Sequence, residues 1–360
     1  MAIDNDALLD LLQTTTATLP WDGRFSKLLQ KTNYVGLNDF LVKRHKIEGQ
    51  GGTTLDWRVH YRDNGQGKAT RINAETSPGI INTLVDASLP WKQYETNWTT
   101  NRQEMLRNRS RAKLIDMVQL RRYAGMESLA NVLETDIWTA IPLTTNKLVL
   151  YPVDYWLPKR AASAADNVGG WNGQNPTDAA GSSFSDCAGI DASDSTYSKW
   201  RSYNARWLST DGSIVKADLS RVRRLYHNLN FQAPAITDGE DTPRRALSFY
   251  CNMTTLLAME DTADSRNDNL GQDVARVAGS VVIKGIPLKY VYQLDSDTSN
   301  PLYAINHNLF NVCVMKGDYF RESKPLNSVE LHNTFTTFVD LTVQTRMEDR
   351  QKGGGVISYQ

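Results

Sequence analysis

Cysteine is scarce in this sequence. Cys187, Cys251 and Cys313 are the only three in 360 residues. Their odd number and wide spacing argue against a disulfide framework and favour a reducing compartment; each reads as a small buried hydrophobe rather than a nucleophile. Net charge is missing as well, because 40 basic residues cancel 40 acidic ones. A free-standing nucleic-acid binder held by phosphate contacts is therefore disfavoured, although a local basic face stays open. No apolar run approaches the roughly 20 residues of a membrane span. The first 19 residues carry Asp4, Asp6 and Asp10 and no basic residue, unlike a signal or transit peptide. A soluble chain without a membrane partner is expected.

Motifs for chemistry are equally sparse. The five histidines, His45, His60, His227, His307 and His332, never stand three or four apart, so no metal-ligating residue is assigned. Asp295 to Asn300 resembles a calcium loop without its glycine and closing glutamate and reads as a turn into Pro301. There is no phosphate loop, nucleophile elbow or dinucleotide fingerprint. Glu260 and Asp261 are adjacent, which on a helix points them about 100° apart. No catalytic or cofactor-binding residue is assigned, and a structural role is expected over catalysis.

What is present is long-range architecture. From Asn101 to about Thr139, Leu114, Val118, Met126, Leu129, Leu133 and Ile137 recur mostly at helical steps, and no proline intervenes before Pro142. One helix of that length spans roughly 55 Å, a strut longer than a compact core needs. Its first half carries Arg102, Arg107, Arg109, Arg111, Lys113, Arg121 and Arg122 against Glu104 and Asp116. Cations there oppose the helix macrodipole, so they read either as a solvated face or as a surface turned to nucleic acid or an acidic partner.

Before the strut the period changes to two. Leu55, Trp57, Val59 and Tyr61 alternate with Asp56, Arg58, His60 and Arg62, and a return strand follows through Ile81, Val85 and Leu89. A lone two-stranded ribbon is marginal in water. Its apolar face must cover this subunit or another. Trp91, Tyr94 and Trp98 are expected to anchor its base.

Residues 1–45 hold too few apolar positions to fold alone and read as a frayed terminus or as an arm that orders on a neighbour. The stretch 143–200 reads as irregular and either functional or packed at interfaces. Residues 212–308 read as a compact α/β unit. Strands are expected over Asn306–Met315 and Thr334–Met347, and Gly353–Gly355 as a flexible joint before one last short strand.

This order of parts resembles the major capsid proteins of tailed bacteriophages, the Hong Kong 97 fold. So do short phrases: Ala188-Gly-Ile-Asp191 with Tyr197-Ser-Lys-Trp-Arg201, Val282-Ile-Lys-Gly-Ile-Pro287, Pro301-Leu-Tyr-Ala-Ile-Asn306, and Gln344-Thr-Arg-Met-Glu-Asp-Arg350. The resemblance implies an α+β subunit that closes into pentamers and hexamers of an icosahedral head. It divides the chain into an N-terminal arm (1–45), an extended loop (46–98), a peripheral domain with a spine helix (99–211 and 309–360) and an axial domain (212–308). Leu55, Trp57, Val59, Tyr61, Ile81 and Val85 would then make intersubunit contacts. The basic half of the helix would face packaged double-stranded DNA. Portal, scaffolding and decoration proteins are implied as partners, and the virion, assembled in the bacterial cytoplasm, as the location. No residue permits a self-protease or a covalent cross-link to be carried over. Two other readings are an encapsulin-like cellular compartment on the same fold and a carbohydrate-binding or carbohydrate-active protein, the latter suggested by nine Trp and fifteen Tyr.

Overall fold

The computed structural model describes residues 33–42, 46–49, 51–71, 79–107, 111–139, 148–160, 169–208, 214–230, 246–264, 274–277, 280–327 and 333–359. Strands β1 (Lys46–Gly49), β2 (Thr54–His60), β3 (Leu84–Pro90) and β4 (Lys92–Asn101) come first, then a short helix Arg102–Arg107 and the long helix Arg111–Trp138. Next come β5 (Gly170–Gly173), β6 (Ser202–Arg206), helix Leu219–Leu229, β7 (Leu247–Cys251) and helix Met253–Asp264. The remainder is largely strand: β8 (Val274–Val277), β9 (Ser280–Ile283), β10 (Ile286–Tyr290), β11 (Leu302–Asn306), β12 (Phe310–Met315), β13 (Arg321–Glu322), β14 (Leu326–Asn327), β15 (Thr334–Met347) and β16 (Gly354–Ser358).

Two sheets organise these elements. In the six-stranded sheet β15 is the trunk: β4 runs antiparallel to it from Thr334↔Asn101 to Val343↔Lys92, and β12, β13 and β14 also pair with it. Alternation along Thr334–Met347 gives way to continuous burial from Leu341 to Thr345, where the strand passes into the core. The eight-stranded sheet has the order β5-β6-β16-β11-β7-β10-β9-β8. Helix Leu219–Leu229 packs on it through Leu219, Val222, Leu225, Tyr226 and Leu229, an amphipathic spacing.

Several expectations are met and several are corrected. Thr334–Met347 is the strand expected, and the Lys284-Gly285 turn joins β9 to β10 with both residues at positive φ, 50° and 84°, the twist-matched two-residue hairpin. The expected helix from Asn101 is helical over Arg102–Arg107 and Arg111–Trp138, about 42 Å in the longer piece; residues 108–110 and 140 onward to 147 lie outside the described residues. Tyr94 and Trp98 are no mere anchors: they belong to β4, which starts just after Trp91 and whose Lys92, Tyr94, Trp98 and Thr100 point inward. Asn306–Met315 is two strands broken at His307–Leu309.

The glycine run is the sharpest correction. Gly354 and Gly355 lie inside β16, between β11 and β6, rather than in a joint. A Cβ on Gly355 would stand 2.6 Å from Leu225 Cδ1 and 3.0 Å from the Tyr203 carbonyl oxygen. Helix and strand approach too closely there for any side chain. The C-terminal strand thus sits in the sheet of the second unit, and β5 and β6 join it too, so that unit draws on more of the chain than residues 212–308.

The irregular stretch before β6 is a lid on the core. Trp156 and Trp200 are buried, and the guanidinium of Arg350, fully buried, donates to the carbonyl oxygens of Trp156 (2.8 Å), Gln174 (2.6 Å) and Trp200 (3.2 Å). Desolvation lowers the Arg350 pKa from its usual value. Three accepting carbonyls balance the buried cation. A cation from the far end of the chain fastens this loop.

Candidate assembly interface

The ribbon expected to reach a neighbour has two unlike halves. Its base is β2 paired with β3, from Thr54↔Pro90 to His60↔Leu84. Leu55, Val59, Tyr61, Ala87 and Leu89 are buried, and all face their own subunit. The Trp57 ring lies 6.1 Å from Trp156, Tyr61 meets Tyr197 at 5.1 Å, and Ser88 N–H donates to the Ala188 carbonyl at 3.0 Å. Leu55, Val59 and Tyr61, expected at an intersubunit contact, have their side chains covered within their own chain. The apolar face closes the core because Trp156, Ala188 and Tyr197 lie against it.

Beyond Tyr61 the ribbon leaves the body. Residues 62–71 are exposed throughout, Ile80 is 105% exposed and Leu84 45%. Ile81 and Val85 are half-buried at the transition. The last ties are Tyr61 N–H to Thr83 O (3.1 Å), Tyr61 O–H to Asn82 O (3.1 Å) and Arg62 Nε to Asn82 O (3.0 Å). The described tip carries Arg62, Lys68 and Arg71 against Asp63. Among the described residues, nothing covers this basic stretch or the apolar Ile80. Beneath the base a cleft of about 820 Å³ opens between Arg58, His60 and Arg62 of the ribbon and Lys199, Glu348 and Lys352 of the body.

The basic residues of the helix divide similarly. Arg121 pairs with Glu104 at 2.5 Å and donates to the Thr99 carbonyl at 2.9 Å. Arg122 pairs with Glu322 through its Nε at 2.9 Å and a second nitrogen. Both fasten the long helix to the six-stranded sheet, and sequence spacing could not reveal a partner 200 positions away. Arg102 is half-buried. Arg109 and the side chains of Arg107, Arg111 and Lys113 lie outside the described residues. The helix lies along β4: Thr96 Oγ1 donates to the Gly125 carbonyl (3.1 Å), and Tyr94 O–H donates to Asp136 (2.7 Å) while accepting from Leu150 N–H (3.0 Å). Burial raises the pKa of Tyr94, and the Asp136 charge adds to it.

Reactive groups are buried. Burial pushes the thiols of Cys187 and Cys313 up to about 11 and Cys251 higher, which keeps them protonated and poorly nucleophilic. Among the described residues no three His, Cys, Asp or Glu side chains are grouped to hold a metal, and no helix is long and apolar enough to cross a membrane. All eight described tryptophans are buried or half-buried, so they do not form the exposed aromatic platform that a sugar-binding reading needs.

No family model matches the chain. No curated protein matches it either. Solved structures do. A chain of the cyanophage A-1(L) capsid asymmetric unit superposes with a TM-score of 0.62 at 14% identity, covering 92% of this chain and 94% of that one. The capsid of a native GTA particle gives 0.56 at 11% identity, covering 94% and 95%, and that of an empty GTA particle 0.51 at 12%, covering 96% and 97%. At such identities the likeness is one of fold. The chain has the α+β fold of these capsid proteins.

Proposed function

We propose that this protein is the structural subunit of an icosahedral phage head, closing into pentamers and hexamers around double-stranded DNA and catalysing no reaction. The observation that carries the reading is the extent of the fold likeness, more than nine-tenths of both chains in the cyanophage case. The likeness is to a whole capsid subunit rather than to one module of it. The ribbon supplies an independent physical reason: its described outer residues, basic with Ile80 exposed among them, find no cover among the described residues and favour a partner surface.

In this reading the ribbon tip, rather than the base assigned from sequence, lies over an adjacent subunit, with Ile81 and Val85 at its root. The long helix is the spine of a peripheral domain built on the six-stranded sheet, and the eight-stranded sheet is the axial domain at the centre of each capsomer. Arg102, Arg107, Arg109, Arg111 and Lys113 form the inner surface toward DNA, bound without sequence preference. Arg121 and Arg122 serve that surface by fixing the helix. Portal, scaffolding and decoration proteins are further partners, and the virion, after assembly in the host cytoplasm, is the location.

Negative-stain imaging and light scattering of the protein, expressed alone and with its neighbouring genes, test the proposal. Closed particles tens of nanometres across are expected. A homogeneous monomer under both conditions overturns it.

A further inference from the structure

The short segment 33–42 is seated in a groove made by parts of the chain far away in sequence. Helical residues 35–36 run into a single wide turn, Leu37–Val42. Phe40, fully buried, places its ring 5.7 Å from Trp138, 5.8 Å from Tyr250, 5.1 Å from His307 and 5.3 Å from Phe310. One ring thus touches the long helix, the eight-stranded sheet, the turn after β11 and the six-stranded sheet. Asp39 accepts from Tyr250 O–H at 2.9 Å and pairs with Lys289. These contacts join elements that also meet through Trp138, whose ring lies 5.0 Å from Tyr250, and through a shared hydrophobic core.

The groove has one polar key. Glu134 is fully buried in the long helix, and no described cation pairs with it. Its Oε1 accepts from Gly36 N–H (2.8 Å) and Trp138 Nε1 (2.9 Å), and its Oε2 from Leu37 N–H (2.6 Å). A buried carboxylate without such donors is costly. Two of its three donors belong to the segment. Space is equally specific, because a Cβ on Gly36 would stand 2.6 Å from Trp138 Nε1. Outside the groove Tyr34 O–H donates to Asn131 (2.8 Å) and extends the seat.

We propose that residues 33–42 are a latch keyed by Glu134: seated, they lock the long helix against the eight-stranded sheet, and unseated, they let the two sheet bodies turn relative to each other. The lock itself is a property of the single subunit. Its use, adjusting the subunit's shape as it takes its place among other copies, rests on the shell reading. Glu134 is a positioning residue, acting on the sheets through the segment it holds.

The test uses the full-length unassembled subunit. Glu134→Gln keeps the side-chain volume but replaces one acceptor oxygen with a donating amide, which then faces a segment N–H. Gly36→Ala unseats the same segment by contact. Hydrogen exchange at Gly36 and Leu37 is expected to quicken about tenfold or more in both variants, while amides of β15 and β11 keep their protection. Leu133→Ala, a cavity beside the key, is expected to lower stability without quickening those two amides selectively. For the second readout, spin labels at Leu120→Cys and Leu257→Cys use exposed positions on the two bodies, the native cysteines being buried. The distance distribution is expected to be narrow with Glu134 present and broad or shifted in Glu134→Gln.

Unchanged exchange at Gly36 and Leu37 overturns the proposal, as does faster exchange with an unchanged distance distribution. Should Glu134→Gln not fold, Tyr34→Phe, which removes only the outer bond, reads both signals at smaller amplitude. Wild-type protein that forms no particles defeats the shell reading yet leaves both latch readouts standing.

Discussion

The base and the tip of the ribbon adjoin in sequence and meet opposite fates. At the base, Leu55, Val59, Ala87 and Leu89 vanish into the core; a few residues on, 62–71 and Ile80 are exposed among the described residues. Alternation marks a face that must be covered, and only the third dimension says by what. The base completes its own subunit. The tip is the part proposed to meet another.

The largest expected effect breaks the base. Val59→Asp puts an unpaired charge in the core and should cost about 4 kcal/mol or more, read as loss of soluble protein or a collapsed Tm. Trp57→Asp, at a position the sequence assigns to intersubunit contact, is expected to destabilise the subunit by about 2 kcal/mol, because its ring rests on Trp156. A folded Trp57→Asp monomer with wild-type Tm would contradict the placement of the base.

Ile80→Asp should do the reverse. Exposed substitutions stay within about 0.5 kcal/mol, so Tm is expected to hold while the yield of closed particles, measured by sedimentation, falls at least about tenfold, the loss of one buried apolar side chain per contact. Normal yield would remove the tip from the interface.

Acid sharpens the contrast through the body. Asp297 pairs with Lys159 and accepts from Ser299 N–H (3.0 Å) and Oγ (2.6 Å). Burial pushes its pKa up, but the lysine and the serine outweigh burial and leave it below the usual value. A depressed carboxylate contributes fully above the ordinary range, about 3.9, and loses its contribution as pH falls through the folded value. The Tm gap between wild type and Lys159→Met should therefore be flat down to about pH 4 and shrink below it; a gap that widens in acid would contradict the pairing. The smallest effect is expected at the ribbon's outer face. Arg58 and Asp86 lie 3.3 Å apart but three-quarters exposed, and Arg58→Ala should change Tm by about 0.5 kcal/mol or less in equivalent stability.

These residues also mark what was legible in the sequence. Period-two alternation located β2, β3 and β15, because each buries one face along most of its length. The same signal ran through β4, but Lys92, Thr96 and Thr100 stand at inward positions there and their polarity masked it. Long-range pairing was invisible. Nothing near Gly354 or Gly355 tells that Leu157 will press on the first and helix Leu219–Leu229 on the second, nor that Glu322 will take up Arg122, nor that Arg350 will bind Trp156 and Gln174. The basic run was read as one surface; two of its members turned out to be fastenings, since a guanidinium beside a sheet edge finds carboxylates that local spacing does not show. The latch was hidden for the same reason, as Glu134 and Gly36 stand 98 positions apart.

The measurement that tests the central claim most directly is tryptic cleavage at Arg62, Lys68 and Arg71, compared between the free subunit and the assembled particle. The account predicts rapid cutting in the free subunit, where these residues are exposed, and protection in the particle, where a neighbouring copy covers the tip. Equal cutting rates in the two would contradict it.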